Sequence, residues 1–206
     1  MMTHATTATA RYAELLKEEQ KHQLDERAFG FWLYLMSDAL IFSLLFATYA
    51  VMVGRTAGGP QAHGLFDLRY TFGETLLLLF SSTTFGLAGL SIRTKDKRAV
   101  LFWLAVTFLL GVGFVGMEIN EFHGMVVAGA SPERSGFLSA FFTLVATHGL
   151  HVTCGMVWIA VLSAEVLRKG LTAPVASRIH RLGVFWHFLD IIWIAIFSVV
   201  YLPGSF

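Results

Sequence analysis

Five long apolar runs, separated by short polar segments, make up most of this sequence. A helix needs about 20 residues to cross a bilayer core of roughly 30 Å, and each run reaches that length. Charged residues cluster between the runs, and few lie within them. The pattern predicts an all-α integral membrane bundle of five transmembrane helices, with spans at residues 28–53, 70–92, 99–122, 136–167 and 179–202.

The first 27 residues are polar and charged, in contrast to the apolar run that follows them. That run is too long for the core of a cleaved signal peptide, so we interpret it as a retained span. We therefore expect an N-terminal arm at 1–27, helical over 11–27, and a five-helix transmembrane domain at 28–206. Turn-forming residues at 57–60, 131–132 and 172–174 are expected to break the chain before spans two, four and five.

Basic residues are distributed unevenly over the segments between the runs. Twelve of the 15 Lys and Arg residues lie in the N-terminal arm, in 93–98 and in 168–181, which the topology places on one side of the membrane. The other side has only Arg55, Arg69 and Arg134. Because basic loops stay in the cytoplasm, we expect a cytoplasmic N-terminus and a periplasmic C-terminus.

Composition agrees with a membrane protein and narrows the possible chemistry. Hydrophobic residues account for 55% of the chain and charged residues for 14%, against about 25% charged in soluble domains. The single cysteine, Cys154, excludes a disulfide framework and a thiolate-rich metal site. The sequence also has no phosphate-binding glycine loop, no HExxH helix and no basic surface typical of nucleic-acid binding.

Several ionisable residues fall near the middle of the predicted spans, where each must face protein or water. Asp38 lies about ten residues into span one, His148 and His151 lie in span four, and His187 and Asp190 lie in span five. Counting residues along the helices places all five at similar depth. Spacings of three put each of the last two pairs on one helix face.

Two interpretations of this polar layer remain. Neutral imidazoles on two helices at matched depth could ligate a haem iron or copper. Alternatively, the side chains could join helices by hydrogen bonds, which we favour because polar residues inside helix bundles commonly bond to one another.

A second polar group is expected near the end of span three. Glu118 and Glu121 share a helix face, His123 follows them, and Glu74 lies at a similar level in span two. The Glu-x-x-His spacing of carboxylate-bridged di-iron bundles is absent. These carboxyl groups could hold a proton or a cation, but we favour a structural or lipid-headgroup role because they lie near the interface.

Four motifs carry a specific resemblance: 31–38 in span one, 116–123 in span three, 147–152 in span four and 185–190 in span five. In order and spacing they resemble subunit III of the haem-copper oxidases. Together with 135–142 they are most similar to the ubiquinol-oxidase (cytochrome o) branch of that family. The resemblance extends over residues 29–202.

The resemblance implies a non-redox accessory subunit of a proton-pumping ubiquinol oxidase in the bacterial inner membrane. It implies partners in subunit I, which holds the haem and copper, in subunit II, in a small subunit IV and in membrane phospholipid. It also implies roles in assembly, stability and proton uptake by subunit I, and no cofactor in this chain. The alternatives are subunit III of a cytochrome c oxidase or nitric oxide reductase-type complex, or a separate haem- or metal-binding enzyme. On this interpretation the buried polar residues are structural: Asp38, Glu74, Glu118, Glu121, His123, His148, His151, His187 and Asp190.

Overall fold

The computed structural model describes residues 2–58 and 67–204, and every regular element in these ranges is helical. Five of the helices are long and apolar enough to cross a membrane, which confirms the five-helix transmembrane fold class. They are α1 (Met2–Met52), α2 (Leu68–Arg93), α3 (Lys97–Val127), α4 (Gly136–Lys169) and α5 (Ala173–Ile196), with a π-helical segment (Phe197–Tyr201) and a short helical turn (Leu202–Gly204) after α5.

By its internal contacts the chain divides into two units, residues 1–40 and 41–206. The described part of the first unit is helical throughout, which confirms the helix expected over 11–27. The second unit contains the end of α1 and all the later helices. The division expected at residue 27 concerns where the membrane begins, and it stays a prediction.

Aspartate side chains set the first residues of α2 and α3. Asp67 accepts hydrogen bonds from the backbone N–H groups of Arg69 and Tyr70, at 3.0 and 3.3 Å. Asp96 accepts from Arg98 and Ala99 in the same way. These bonds satisfy donors that lack partners at a helix start. Both helices therefore begin two residues before the apolar runs that predicted them.

Helix α5 begins six residues before its predicted span, because Pro174 lies within the first helical turn and not in a break. Proline is tolerated there, since its missing N–H would have no partner in that turn. The break expected at 131–132 does lie between α3 and α4. Residues 57–58 form a turn after α1, and the remainder of that expected break, 59–60, lies outside the described residues.

In the second unit, α2 packs along α3, and α4 packs against both α3 and α5. Helix α2 also contacts α5, so these four helices surround a common core. Hydrogen bonds between hydroxyl groups join the helices, as between Thr84 of α2 and Thr107 of α3 at 2.8 Å. Such bonds and close packing replace the hydrophobic effect as the force that holds helices together in lipid.

The indole ring of Trp186, on α5, fills a slot between α3 and α4. Its side chain is 1% exposed, and its Nε1 donates to the hydroxyl of Ser81 at 3.1 Å. A Cβ atom at Gly155 would lie 2.9 Å from ring atom Cζ3, and one at Gly111 would lie 3.2 Å from Cη2. The two glycines therefore allow α3 and α4 to approach the ring from both sides.

Candidate functional site: a buried carboxyl cluster

Three glutamates and a tyrosine meet at the end of the second unit where α2 and α4 begin. Glu74 lies on α2, while Glu118 and Glu121 lie about one turn apart on α3. Tyr201, at the end of the π-helical segment, donates its hydroxyl hydrogen to Glu121 Oε2 at 2.8 Å. The three carboxyl groups are close enough to interact electrostatically with one another. We call these four residues the carboxyl cluster.

Helix α4 closes one side of the carboxyl cluster. The carboxyl group of Glu118 lies directly against Gly149, so that a Cβ atom at that position would overlap both carboxyl oxygens. The preceding residue, His148, is fully buried. Its ring packs against Phe114 and Trp193, at centroid distances of 5.8 and 5.2 Å. The cluster is therefore enclosed by aromatic rings and helix backbone.

Several polar atoms in this region have no hydrogen-bond partner among the described residues. They are both carboxyl oxygens of Glu74, Oε2 of Glu118 and both ring nitrogens of His148. Glu74 and His148 are 0% exposed and Glu118 is 3% exposed. A buried polar atom without a partner is unfavourable, so these atoms are a feature that the fold alone does not explain.

A separate polar group lies nearer the opposite end of α5. Ser82 Oγ and His187 Nδ1 are 2.7 Å apart, and Asp190 Oδ2 lies 3.7 Å from the same nitrogen. In a hydrolytic triad the serine and the carboxylate bind opposite ring nitrogens, whereas here both approach Nδ1. The group therefore has the geometry of a contact between α2 and α5, and not that of a nucleophile.

The structure does not bring the histidines of α4 and α5 into one site. His148 of α4 packs against Trp193 of α5, and Gly155, further along α4, lies against Trp186, which comes earlier in α5. The two helices are therefore antiparallel, with residue 148 opposite residue 193. His187 precedes Trp193 by six residues, or about 9 Å along the helix axis. The common depth expected from counting residues does not hold for His148 and His187, because depth along each helix does not give the register between helices.

The same geometry bears on the metal interpretation. Among the described residues, no three His, Cys, Asp or Glu side chains lie in an arrangement that could hold a metal ion. Three carboxyl groups do meet in the carboxyl cluster, but their arrangement does not fit a metal centre.

The other predicted site residues lie in different surroundings. Asp38 belongs to the first unit and is 5% exposed. His151 is half-buried, with Nδ1 at 2.7 Å from the carbonyl oxygen of Thr147 and its ring 5.2 Å from Phe42. His123 and His187 are exposed on this chain, contrary to the expected burial. The residue counts gave depth in the membrane, but they did not give the side of the helix.

Sequence reasoning missed the role of Tyr201. Its side chain is 0% exposed, and its hydroxyl donates a hydrogen bond to Glu121. Ser82 and Thr75 were also missed, although they contact His187 and the indole Nε1 of Trp193. No local signal identifies these residues, since each partner lies at least 80 residues away in the chain.

Comparison with known proteins assigns the chain to a family. Residues 10–205 match the family described as cytochrome c oxidase subunit III. A Pseudomonas aeruginosa protein named cytochrome bo(3) ubiquinol oxidase subunit 3 is 55% identical over 177 residues, which are 86% of this chain and 85% of that protein.

Two further relatives extend the comparison. A Pseudomonas putida protein with the same name is 54% identical over 175 residues, covering 85% of this chain and 84% of that protein. A Bacillus subtilis protein named quinol oxidase subunit 3 is 45% identical over 175 residues, covering 85% and 86%. With these relatives and a match over nearly the whole chain, the protein belongs to the cytochrome c oxidase subunit III family.

Proposed function

We propose that this chain is subunit III of a bacterial proton-pumping ubiquinol oxidase, which couples quinol oxidation to the reduction of oxygen. The observation that carries the proposal is the high identity to two proteins named cytochrome bo(3) ubiquinol oxidase subunit 3, at 55% and 54% over most of both chains. The five membrane-crossing helices and these relatives make it a multi-pass protein of the bacterial inner membrane.

Within that complex the chain acts as a non-redox accessory subunit. Subunit I holds the haem and copper, and subunit II and a small subunit IV complete the assembly. The chain supports the assembly and stability of subunit I and its uptake of protons. The surroundings of the two histidines support this role. The rings of Phe114 and Trp193 enclose His148, and His187 is hydrogen-bonded to Ser82.

A second candidate is subunit III of a cytochrome c oxidase. A Bacillus sp. PS3 protein named cytochrome c oxidase subunit 3 is 42% identical over 175 residues, which are 85% of this chain and 84% of that protein. The two candidates share the accessory role and differ in the electron donor of the complex.

The test is to purify the chain gently, through an affinity tag, from its native membrane. We expect a large haem-bearing polypeptide to co-purify and the preparation to consume oxygen with ubiquinol as donor. Oxygen uptake with reduced cytochrome c, and none with ubiquinol, would favour the second candidate. We also expect the haem spectrum to stay with the partners after this chain is stripped away. Haem or metal retained by the stripped chain would contradict the accessory role.

The proposed topology places the N-terminus in the cytoplasm and the C-terminus in the periplasm. The twelve-to-three distribution of Lys and Arg supports it. The turns at Lys95, between α2 and α3, and at Glu133, between α3 and α4, then lie on opposite sides of the membrane.

This topology predicts the result of a labelling experiment. With Cys154 replaced by serine, Glu133→Cys is expected to react with a membrane-impermeant maleimide on spheroplasts, because its exposed side chain faces the periplasm. Lys95→Cys, equally exposed, is expected to react only after the membrane is opened. The reverse pattern would show the opposite orientation, and detergent-solubilised samples of both variants control for intrinsic reactivity.

Membrane phospholipid is a further proposed partner, and a groove between α2 and α5 supports it. The groove has a volume of about 380 Å³ and lies at the end of the unit opposite the carboxyl cluster. Arg93 and His180 line it together with apolar residues and glycines, including Gly86, Gly89 and Val184. A basic group beside an apolar channel suits an anionic headgroup and its acyl chain. Phospholipid analysis of the tagged complex tests this assignment.

A further inference from the structure

We propose that the carboxyl cluster is a proton-binding site that exchanges protons with the aqueous phase at the end of the bundle where α2 and α4 begin. This role goes beyond the accessory function, and it does not depend on which electron donor the complex uses. Binding converts a glutamate carboxylate and one aqueous proton into a carboxylic acid, and no other reactant is required.

The described charges that act on the three glutamates have the same sign. Glu74, Glu118 and Glu121 act electrostatically on one another, and Asp67 at the start of α2 acts on Glu121. Among the described residues, the charged groups that act on these glutamates are other acids. Carboxylates held together away from water cannot all be ionised, since each disfavours the charge on the others. A bound proton relieves this repulsion, because it neutralises one of the carboxylates.

Helix α4 contributes a second, independent feature. His148 is 0% exposed, and neither ring nitrogen has a hydrogen-bond partner among the described residues. Its ring borders the cluster: it contacts Phe114, one turn before Glu118 on α3, and Trp193, whose ring lies 6.1 Å from that of Tyr201. Its unfilled hydrogen-bonding capacity is a second buried polar feature beside the cluster, on a different helix from the three glutamates.

The cluster has access to water through Glu121. Glu121 is half-buried and hydrogen-bonded to Tyr201, whereas Glu74 and Glu118 are buried behind it. Asp67, which acts on Glu121, is exposed at the start of α2. In the proposed route a proton enters from water near Asp67, binds Glu121 and passes to the buried pair. Among the described residues, the titratable groups at or beside the site are Asp67 and Glu74 at the start of α2, Glu118 and Glu121 on α3, His148 and His151 on α4, and Tyr201 in the C-terminal segment.

The experiment is infrared difference spectroscopy of the intact oxidase complex on a change from acidic to alkaline buffer. The wild-type complex is expected to show the carbonyl stretching band of protonated carboxylic acids, shifted in D₂O because the protons exchange. Glu118→Gln and Glu74→Gln keep the side-chain size but remove the acid, and each is expected to lose part of this band. Glu165→Gln is the matched control, because Glu165 pairs with Lys169 and Arg178 at the other end of α4.

Each outcome decides the proposal. Loss of the band in the cluster variants, with the control unchanged, supports it. An unchanged band in both assembled cluster variants, or a wild-type band that is insensitive to D₂O, overturns it. If either buried variant fails to assemble, Glu121→Gln replaces it, because Glu121 is only half-buried. An unchanged band in the Glu121→Gln complex would equally overturn the proposed route. The proposed function is tested separately by oxygen uptake of the same preparations.

Discussion

Replacing Trp186 with alanine is expected to destabilise this chain by about 3–5 kcal/mol, the usual cost of removing a large aromatic side chain from a packed core. The side chain is 1% exposed, and its ring fills the slot between Gly111 and Gly155. Alanine would leave a cavity there and would remove the hydrogen bond from Nε1 to Ser81. Because Trp186 contacts α2, α3 and α4 together, its loss weakens several helix contacts at once.

The measurement is the amount of this chain in membranes and the temperature at which the purified complex loses its subunits. Trp32→Ala is the matched control, because the Trp32 side chain is 57% exposed. We expect the control to assemble at nearly the wild-type level. Equal losses from the two tryptophan variants would show that the slot around Trp186 does not dominate the packing.

Gly149→Ala is expected to destabilise the chain by about 1–3 kcal/mol, the usual cost of adding a methyl group to a filled core. The new Cβ atom would overlap the carboxyl group of Glu118, which is 3% exposed and has little room to move. Gly116→Ala is the control, since no atom lies within 4 Å of a Cβ at Gly116. That change is expected to be neutral or slightly favourable, because alanine favours helix more than glycine by about 1 kcal/mol.

A second substitution identifies the cause of this effect. Glu118→Ala removes the carboxyl group that collides with the new methyl group. The double variant is therefore expected to be more stable than the sum of the two single changes predicts. Thermal dissociation of the four complexes, wild type, two single variants and the double variant, gives the coupling energy. Simple additivity would show that the destabilisation by alanine at 149 does not arise from contact with Glu118.

Much of the architecture could be predicted from the order of residues, and the reason is physical. In lipid, a chain must satisfy its backbone hydrogen bonds internally, so an apolar run of about 20 residues becomes a helix whatever surrounds it. The helix ends were less certain, because they depend on side-chain caps such as Asp67 and on whether a proline such as Pro174 falls in a break or in a first turn.

The sequence also predicts which polar residues of one helix share a face. Glu118 and Glu121 share a face because they are three residues apart, and spacing alone determines that. Both residues act electrostatically on Glu74 of α2. The hydrogen bond from Tyr201 to Glu121 could not be foreseen, because it depends on where the π-helical segment after α5 places the tyrosine side chain.

The sequence by itself therefore determined the number of spans and the family of the chain. Only the tertiary structure decided which helices are neighbours, how each is rotated and in what register they pack. These choices depend on contacts between distant residues, as where Gly111 and Gly155 accept the ring of Trp186. Counting residues matched His148 and His187 in depth, but the register of α4 and α5 separates them. The contact between the carboxyl group of Glu118 and Gly149 likewise depends on how α3 and α4 pack.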